Sequence, residues 1–171
     1  DSAVNSGLFP RGTRRSLGVD RGGSYLLKGS GFTIMRNGAK TDDSYANISF
    51  GDFAGWHSHM DLLSMNLWSK GQLLLEKPPR FGPYAHPLDI GWRAEGNNNH
   101  LLVDHHWYDC RPITGQDVHW HSDNRLDYFS ATHRAYRQWP SHEHRTHHLS
   151  ADLIVRRTVV FVKDPGYALV L

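Results

Sequence analysis

Apolar residues recur at every second position, or in short unbroken runs, in six stretches. These are SYLLKGSGFTIMR (24–36), YANISFGDF (45–53), GQLLLE (71–76), HLLVDHHWYD (100–109), LIVRRTVVFVK (153–163) and YALVL (167–171). Each is rich in Val, Ile, Leu or aromatic residues and is bounded by Gly, Pro, Asn or Asp, as strands with alternating side-chain directions should be. Helical spacing occurs in one window, 61–70. There Leu62, Met65 and Trp68 fall at three-residue steps, Asp61 is placed to cap the first turn, and Gly71 follows Lys70 as a C-terminal stop would. Many short strands with one short helix predict an all-β fold, an antiparallel β-sandwich carrying one short helix. The proline-rich stretch 76–87 and the polar stretch 94–100 read as surface loops, where a rigid sheet displays binding groups. Residues 113–150, polar and aromatic, give the weakest structural signal.

The length of 171 residues suits a single domain, 1–171, with one real core. No internal repeat or long linker divides it. A formal charge of +2 creates no basic field that would nominate nucleic acid or an acidic membrane surface. No stretch approaches the roughly 18 apolar residues of a spanning helix. Cys110 is the single cysteine and cannot form an internal disulfide, so the redox compartment is not legible from it. The chain begins at Asp1 without an apolar leader and stops inside the strand-like GYALVL, which predicts a piece of a longer polypeptide. Asn47-Ile48-Ser49 matches a glycosylation acceptor pattern, but three-residue matches are common by chance. Six Trp, seven Tyr and seven Phe suit sugar faces as well as cores, and core packing accounts for most of them.

The thirteen histidines are the most unusual feature of the composition. On a strand, H-x-H aims two imidazoles to one side, and imidazole both ligates zinc and exchanges protons near neutral pH. Three such pairs occur, His57/His59, His119/His121 and His142/His144, and an isolated pair is weak evidence. The first has better company: the carboxylate of Glu76 ends the next apolar run, and His100 stands at a loop boundary as a third donor. Asp61 reads as a helix cap or a hydrogen-bond acceptor for a histidine. A cupin-like site would want a glutamate a few residues after H-x-H, where this chain has Leu and Ser. His105 and His106 point to opposite faces of one strand, and the histidines of 142–148 are an adventitious metal site at most.

The ordered stretches GFTIMRNG, ISFGDFAGWHSHMDLLSMNLWSKGQLLLE, WRAEGNNNHLLVD and VRRTVVFVKDPGYALVL resemble the heparinase II/III-like polysaccharide lyases over nearly the whole chain. The most specific element is H-x-H-x-D-x-L-S followed by a glycine and an LLL-acid strand. The resemblance implies a C-terminal β-sandwich whose N-terminal partner, an α-helical toroid of the same polypeptide, lies outside this sequence. A uronate-containing acidic polysaccharide would bind in the cleft between them. It implies that His57 faces the substrate as a catalytic residue and that His59 binds a structural Zn2+. Glu76, where the family more often has Asp, would be a second ligand. The third is His100 or the position of Asn98, because a gap-free reading of the family's His-Asn-Thr places its histidine on Asn98. Tyr84 lies where some relatives carry a substrate-contacting tyrosine, and Arg93, like Arg36, is placed to meet an acidic sugar.

The implied reaction is β-elimination: a base removes the proton beside the uronate carboxyl, a neutraliser acidifies that proton, and an acid protonates the leaving oxygen. His57 supplies the base or the acid. The family's remaining catalytic groups lie on the toroid, so this fragment alone is expected to be inactive. The substrate class implies a periplasmic or secreted location. The competing expectations are a non-catalytic carbohydrate-binding domain and a structural β-domain. The equal orientation of His57 and His59 on a strand requires a bend or bulge if one faces glycan and the other an ion.

Overall fold

The computed structural model describes residues 22–52, 61–76, 98–103, 114–136 and 153–171. Among the described residues, nine strands form two antiparallel sheets. The first, in the order β1-β2-β3-β4-β5, contains β1 (Tyr25–Leu27), β2 (Phe32–Arg36), β3 (Tyr45–Ser49), β4 (Met65–Ser69) and β5 (Gln72–Leu75). The second, in the order β6-β7-β8-β9, contains β6 (Gln116–Ser122), β7 (Leu126–His133), β8 (Val155–Val162) and β9 (Tyr167–Val170). Within each sheet, strands consecutive in sequence pair antiparallel, and the chain passes from one sheet to the other between β5 and β6.

The period-2 pattern works as the sequence predicts. Met35, Ala46, Ile48 and Met65 of the first sheet and Phe129, Ala131, Val159 and Phe161 of the second turn into one shared core. The Phe50 and Phe129 rings meet across it at 5.6 Å between centroids. Phe129 and Phe161 are fully buried, and each contributes about 2 to 3 kcal/mol of hydrophobic stabilisation. The expected antiparallel β-sandwich is therefore the fold.

The predicted helix over 61–70 is not formed. Asp61 to Ser64 make a turn, closed by the Ser64 amide donating to the Asp61 carbonyl at 2.8 Å, and Met65 opens strand β4. The Lys70-Gly71 pair that reads as a helix stop is the two-residue turn of the β4–β5 hairpin, with φ of 51° and 73°. A helix C-terminus and a tight hairpin both demand left-handed backbone, so the same dipeptide suits either. Register decides: β4 lies between β3 and β5, and its backbone groups are taken by those two strands. The one helical element among the described residues is a 3-10 turn, Lys28–Ser30, inside the stretch predicted as a single strand from 24 to 36.

Two further expectations change. Residues 113–150, the weakest signal, contain the long strands β6 and β7. Their alternation is hidden because β7 turns Asp127 and His133 inward beside Phe129 and Ala131. Conversely, residues 100–103, predicted to open a strand, have no strand partner. Side chains hold that segment instead.

Candidate functional site at one end of the sandwich

The hairpin connections sort by length onto the two ends. One end carries the connections 37–44, 70–71, 123–125 and 163–166. The opposite end carries 28–31 and the three long ones, 50–64, 76–115 and 134–154. Cross-sheet hydrogen bonds fix which ends coincide. Asn37 donates to the Lys163 carbonyl at 3.0 Å at the first, and the Gly115 amide donates to the Phe50 carbonyl at 2.7 Å at the second. His57, His59, Tyr84, Arg93 and His100 all belong to connections that leave and return at the long-loop end, and Glu76 begins one of them.

The described residues show how that end is built. After β3 the chain passes Phe50 and Gly51, whose amides both donate to the Gly31 carbonyl, at 2.7 and 3.0 Å. Gly31 needs its missing side chain: its φ is 67°, and a Cβ there would collide with the Gly51 backbone. The chain returns at Asp61. Leu63 donates to the Ser49 carbonyl at 2.7 Å and Ser49 donates to that of Ser64 at 3.0 Å, so both ends of the connection carrying His57 and His59 are pinned together. Leu63 is buried with φ at 60°, a conformation that costs a bulky side chain on the order of 1 kcal/mol or more and persists only where its surroundings enforce it.

The segment 98–103 lies against this turn. The Met65 amide donates to the Asn99 carbonyl at 3.2 Å, the Tyr136 hydroxyl donates to that of Leu101 at 3.1 Å, and the Val103 amide donates to the Tyr136 oxygen at 3.2 Å. Arg157, on the inward face of β8, donates from one nitrogen to the carbonyls of both Leu63 and Asn99, at 2.6 Å each. Glu76 follows Leu75, which pairs with Leu67, so the exposed end of β5 runs out beside Asn66 at the start of β4.

The His100 ring has Nδ1 at 3.2 Å from the Leu101 carbonyl. A carbonyl only accepts, so this contact takes the proton on Nδ1. Asn98, the gap-free alternative, is buried beside it with an amide in place of an imidazole. His133 ends β7 with its ring 1% exposed, accepting the Ala135 amide at Nδ1 at 3.1 Å and stacked on Tyr136. Burial first, and then the neighbouring His100, hold its pKa down at about 4, so it is neutral.

Of the residues nominated from sequence, Glu76 and His100 are placed at this end, while His57, His59, Tyr84 and Arg93 lie outside the described residues. Among the described residues no three His, Cys, Asp or Glu side chains gather at one point. Asp61 sits in a turn and not at a helix start. Arg36 stacks over Tyr45 at 5.0 Å on the outer face of the first sheet, remote from this end. His119 and His121 point outward on β6 with Trp120 turned to the core between them, and His121 meets Asp123 at 3.3 Å, as ordinary exposed histidines do. Arg157 and His133 were missed. Both lie at core-facing parity within their strands, and a polar side chain at such a position must find partners.

No family model matches the sequence, and no curated protein is recognised by sequence similarity. Solved structures do match. The heparan sulfate lyase HepC from Pedobacter heparinus superposes with a TM-score of 0.68 at 19% identity, over 86% of this chain and 21% of that one. The chain has the fold of one part of the heparinase III-type lyases. A heparinase III with methylated lysines matches with a TM-score of 0.65 at 16% identity, over 82% of this chain and 20% of its own. A further heparinase III gives 0.62 at 13%, over 84% and 21%. This chain therefore spans about a fifth of the length of the heparinases it matches. The likeness carried by the ordered sequence motifs holds at the level of fold. No helix among the described residues is long and apolar enough to cross a membrane.

Proposed function

We propose that this chain is the β-sandwich part of a heparinase-like polysaccharide lyase that cleaves a uronate-containing polysaccharide by β-elimination. The observation that carries the reading is the sorting of connections. The connections whose sequences contain His57 and His59, and Tyr84 and Arg93, leave and return at one end of a sandwich with the heparinase fold, the end where Glu76 and His100 lie. A cleft for a long acidic chain needs such an end, with loops on a rigid frame.

In this reading His57 is the substrate-facing proton-transfer group, acting as base at the carbon beside the uronate carboxyl or as acid at the departing oxygen. Tyr84 and Arg93 contact the sugar, the arginine through its carboxylate. The donor types suit zinc: two imidazoles, His59 and His100, with the Glu76 carboxylate. When bound, the ion ties the loop ends to one another. The groups that complete elimination come from a toroid in the same polypeptide, so this chain alone is inactive. The substrate class places the protein in the periplasm or outside the cell.

His57→Ala in the full-length protein is expected to abolish release of the ultraviolet-absorbing unsaturated uronate from an acidic polysaccharide while leaving the fold intact. Full activity in that variant would overturn the assignment. A folded wild type that binds glycan without cleaving it would instead mark a carbohydrate-binding domain. Elemental analysis is expected to find near-stoichiometric zinc in wild type and none in His59→Ala; folded, metal-free wild type would rule out the metal.

A further inference from the structure

An antiparallel sheet with one face in water normally turns polar side chains outward. The outer face of the first sheet instead carries Tyr25, Phe32, Tyr45 and Trp68, one on each of four neighbouring strands. Pairing sets its residues in rows. Arg36, Tyr45 and Trp68 stand side by side across β2, β3 and β4, and Ile34, Asn47 and Asn66 form the next row. Hydrogen bonds and stacking hold these groups in place. The Arg36 guanidinium lies over the Tyr45 ring at 5.0 Å, and the Trp68 indole donates to the Thr41 carbonyl at 3.1 Å. Asn66 donates its amide to the Asn47 oxygen at 2.9 Å, which leaves the Asn47 NH2 group as a donor. The outward positions of these strands bear one cation, Arg36, and no carboxylate. Asp42 and Asp43, nearest in sequence, belong to the turn after β2, where Asp43 accepts the Lys40 amide at 2.7 Å.

Flat rings, side-chain amides and a guanidinium are together suited to an acidic sugar chain. The rings cover the apolar C–H faces of pyranoses, the amides meet hydroxyls, and the guanidinium takes an anionic group. An apolar protein partner would instead leave Arg36 and the two asparagines desolvated without partners, at a cost in free energy. Arg36 and Trp68 are two strand spacings apart, about 9 to 10 Å, more than one pyranose ring spans. The occupant is therefore a chain of sugars.

We propose that this face is a second glycan-binding surface, taking a stretch of acidic polysaccharide across β2 to β4, apart from the long-loop end. The inference rests on the reading that the protein acts on such a polymer, and it adds a hold on that polymer outside the cleft. A chain engaged at both places loses its translational freedom once, so modest contacts on the sheet raise the affinity for long polymer.

The test measures retardation of the full-length protein in native gels containing heparan sulfate, hyaluronan or alginate, with hydroxyethylcellulose as the uncharged control. Trp68→Ala, Arg36→Gln and His121→Ala are each made in a His57→Ala background, which keeps the polymer intact. His121 lies on the outer face of the other sheet and serves as the control position. Circular dichroism and thermal midpoints check folding. Binding of an acidic polymer is expected to weaken about 10-fold in Trp68→Ala and in Arg36→Gln, and to stay at the background value in His121→Ala. Folded Trp68→Ala and Arg36→Gln proteins that bind as the background does overturn the proposal, as does an equal loss in His121→Ala. A lowered midpoint with binding retained marks the face as a contact with another part of the polypeptide, and also overturns it. If Trp68→Ala does not fold, Arg36→Gln decides by the same criterion. Weakened binding in both variants, with no cleavage of these polymers by wild type, overturns the lyase reading and leaves this inference standing. Wild type that binds no acidic polymer overturns both.

Discussion

The two ends of this sandwich bury polar groups for different purposes. At the short-turn end, Asp127 is fully buried and accepts from Ser24 and Ser122 at 2.6 Å each, with the Lys163 ammonium 3.0 Å away. Lys163 also donates to the Asp123 carbonyl at 2.6 Å, and Ser44 reaches the Gly166 carbonyl at 3.3 Å. These bonds rivet strand to strand and hairpin to hairpin. At the long-loop end, Arg157 and Tyr136 spend their donors on the carbonyls of segments outside the strands. A closed network holds the sheets in register; an outward-directed one holds loops that the sheets cannot hold. The first end buries a carboxylate, while the half-buried Arg157 of the second reaches outward to backbone.

The comparison can be broken most severely at Asp127. Asp127→Ala leaves the Lys163 ammonium without its carboxylate, and removing one partner of a buried pair costs about 3 to 5 kcal/mol. Urea unfolding is expected to show that loss, while Zn2+ affinity of the fraction that remains folded stays at the wild-type value. A matching loss of affinity would show that the two ends are not separable.

At the other end, His133 makes stability depend on pH. Its folded pKa of about 4 lies below the unfolded value of 6.5, so the unfolded chain binds the extra proton between those limits. Its contribution is complete above about pH 6.5 and is lost as pH falls towards 4, by at most about 3 kcal/mol. Unfolding free energies measured across that window should fall more steeply in wild type than in His133→Asn. Parallel slopes would remove His133 from the account.

The β4–β5 turn gives the finest distinction. Gly71→Ala places a Cβ at φ 73° and is expected to cost about 1 kcal/mol. Lys70→Asn suits the left-handed position and should gain about 0.5 kcal/mol. Both effects are confined to the short-turn end, so thermal midpoints should move while Zn2+ affinity does not. In a helix, Asn at position 70 would be no better than Lys.

What could be read from the sequence follows from how far its physics reaches. Strands β2, β3 and β8 are visible because alternation reports burial on one face, with Met35, Ala46, Ile48, Val155, Val159 and Phe161 turned inward, while β5 and β9 are visible as short apolar runs bounded by turn residues. β7 is obscured by its own function: Asp127 and His133 interrupt the alternation at the two ends of the sandwich. The 61–70 window misleads because Leu62, Met65 and Trp68 fit helical spacing by coincidence. Of these, Leu62 belongs to a turn, Met65 faces the core and Trp68 sits on the outer face, its indole donating to the Thr41 carbonyl at 3.1 Å. The residues proposed for the site come from local patterns, H-x-H, an acid-ended strand and a loop histidine. Its supporting side chains were not legible, because an arginine beside another arginine in an apolar strand gives no hint of which carbonyls it will meet.

By itself the sequence determined the class of fold, the strands with clean alternation and the residue types offered for chemistry, since these depend on local pattern and composition. Only the tertiary structure decided that the 61–70 segment is a hairpin arm, that the long connections share one end, and that Arg157 joins two segments from the opposite sheet. Those outcomes depend on which distant backbone groups find each other once two sheets close on a common core, and that pairing is not written in any single stretch of the chain.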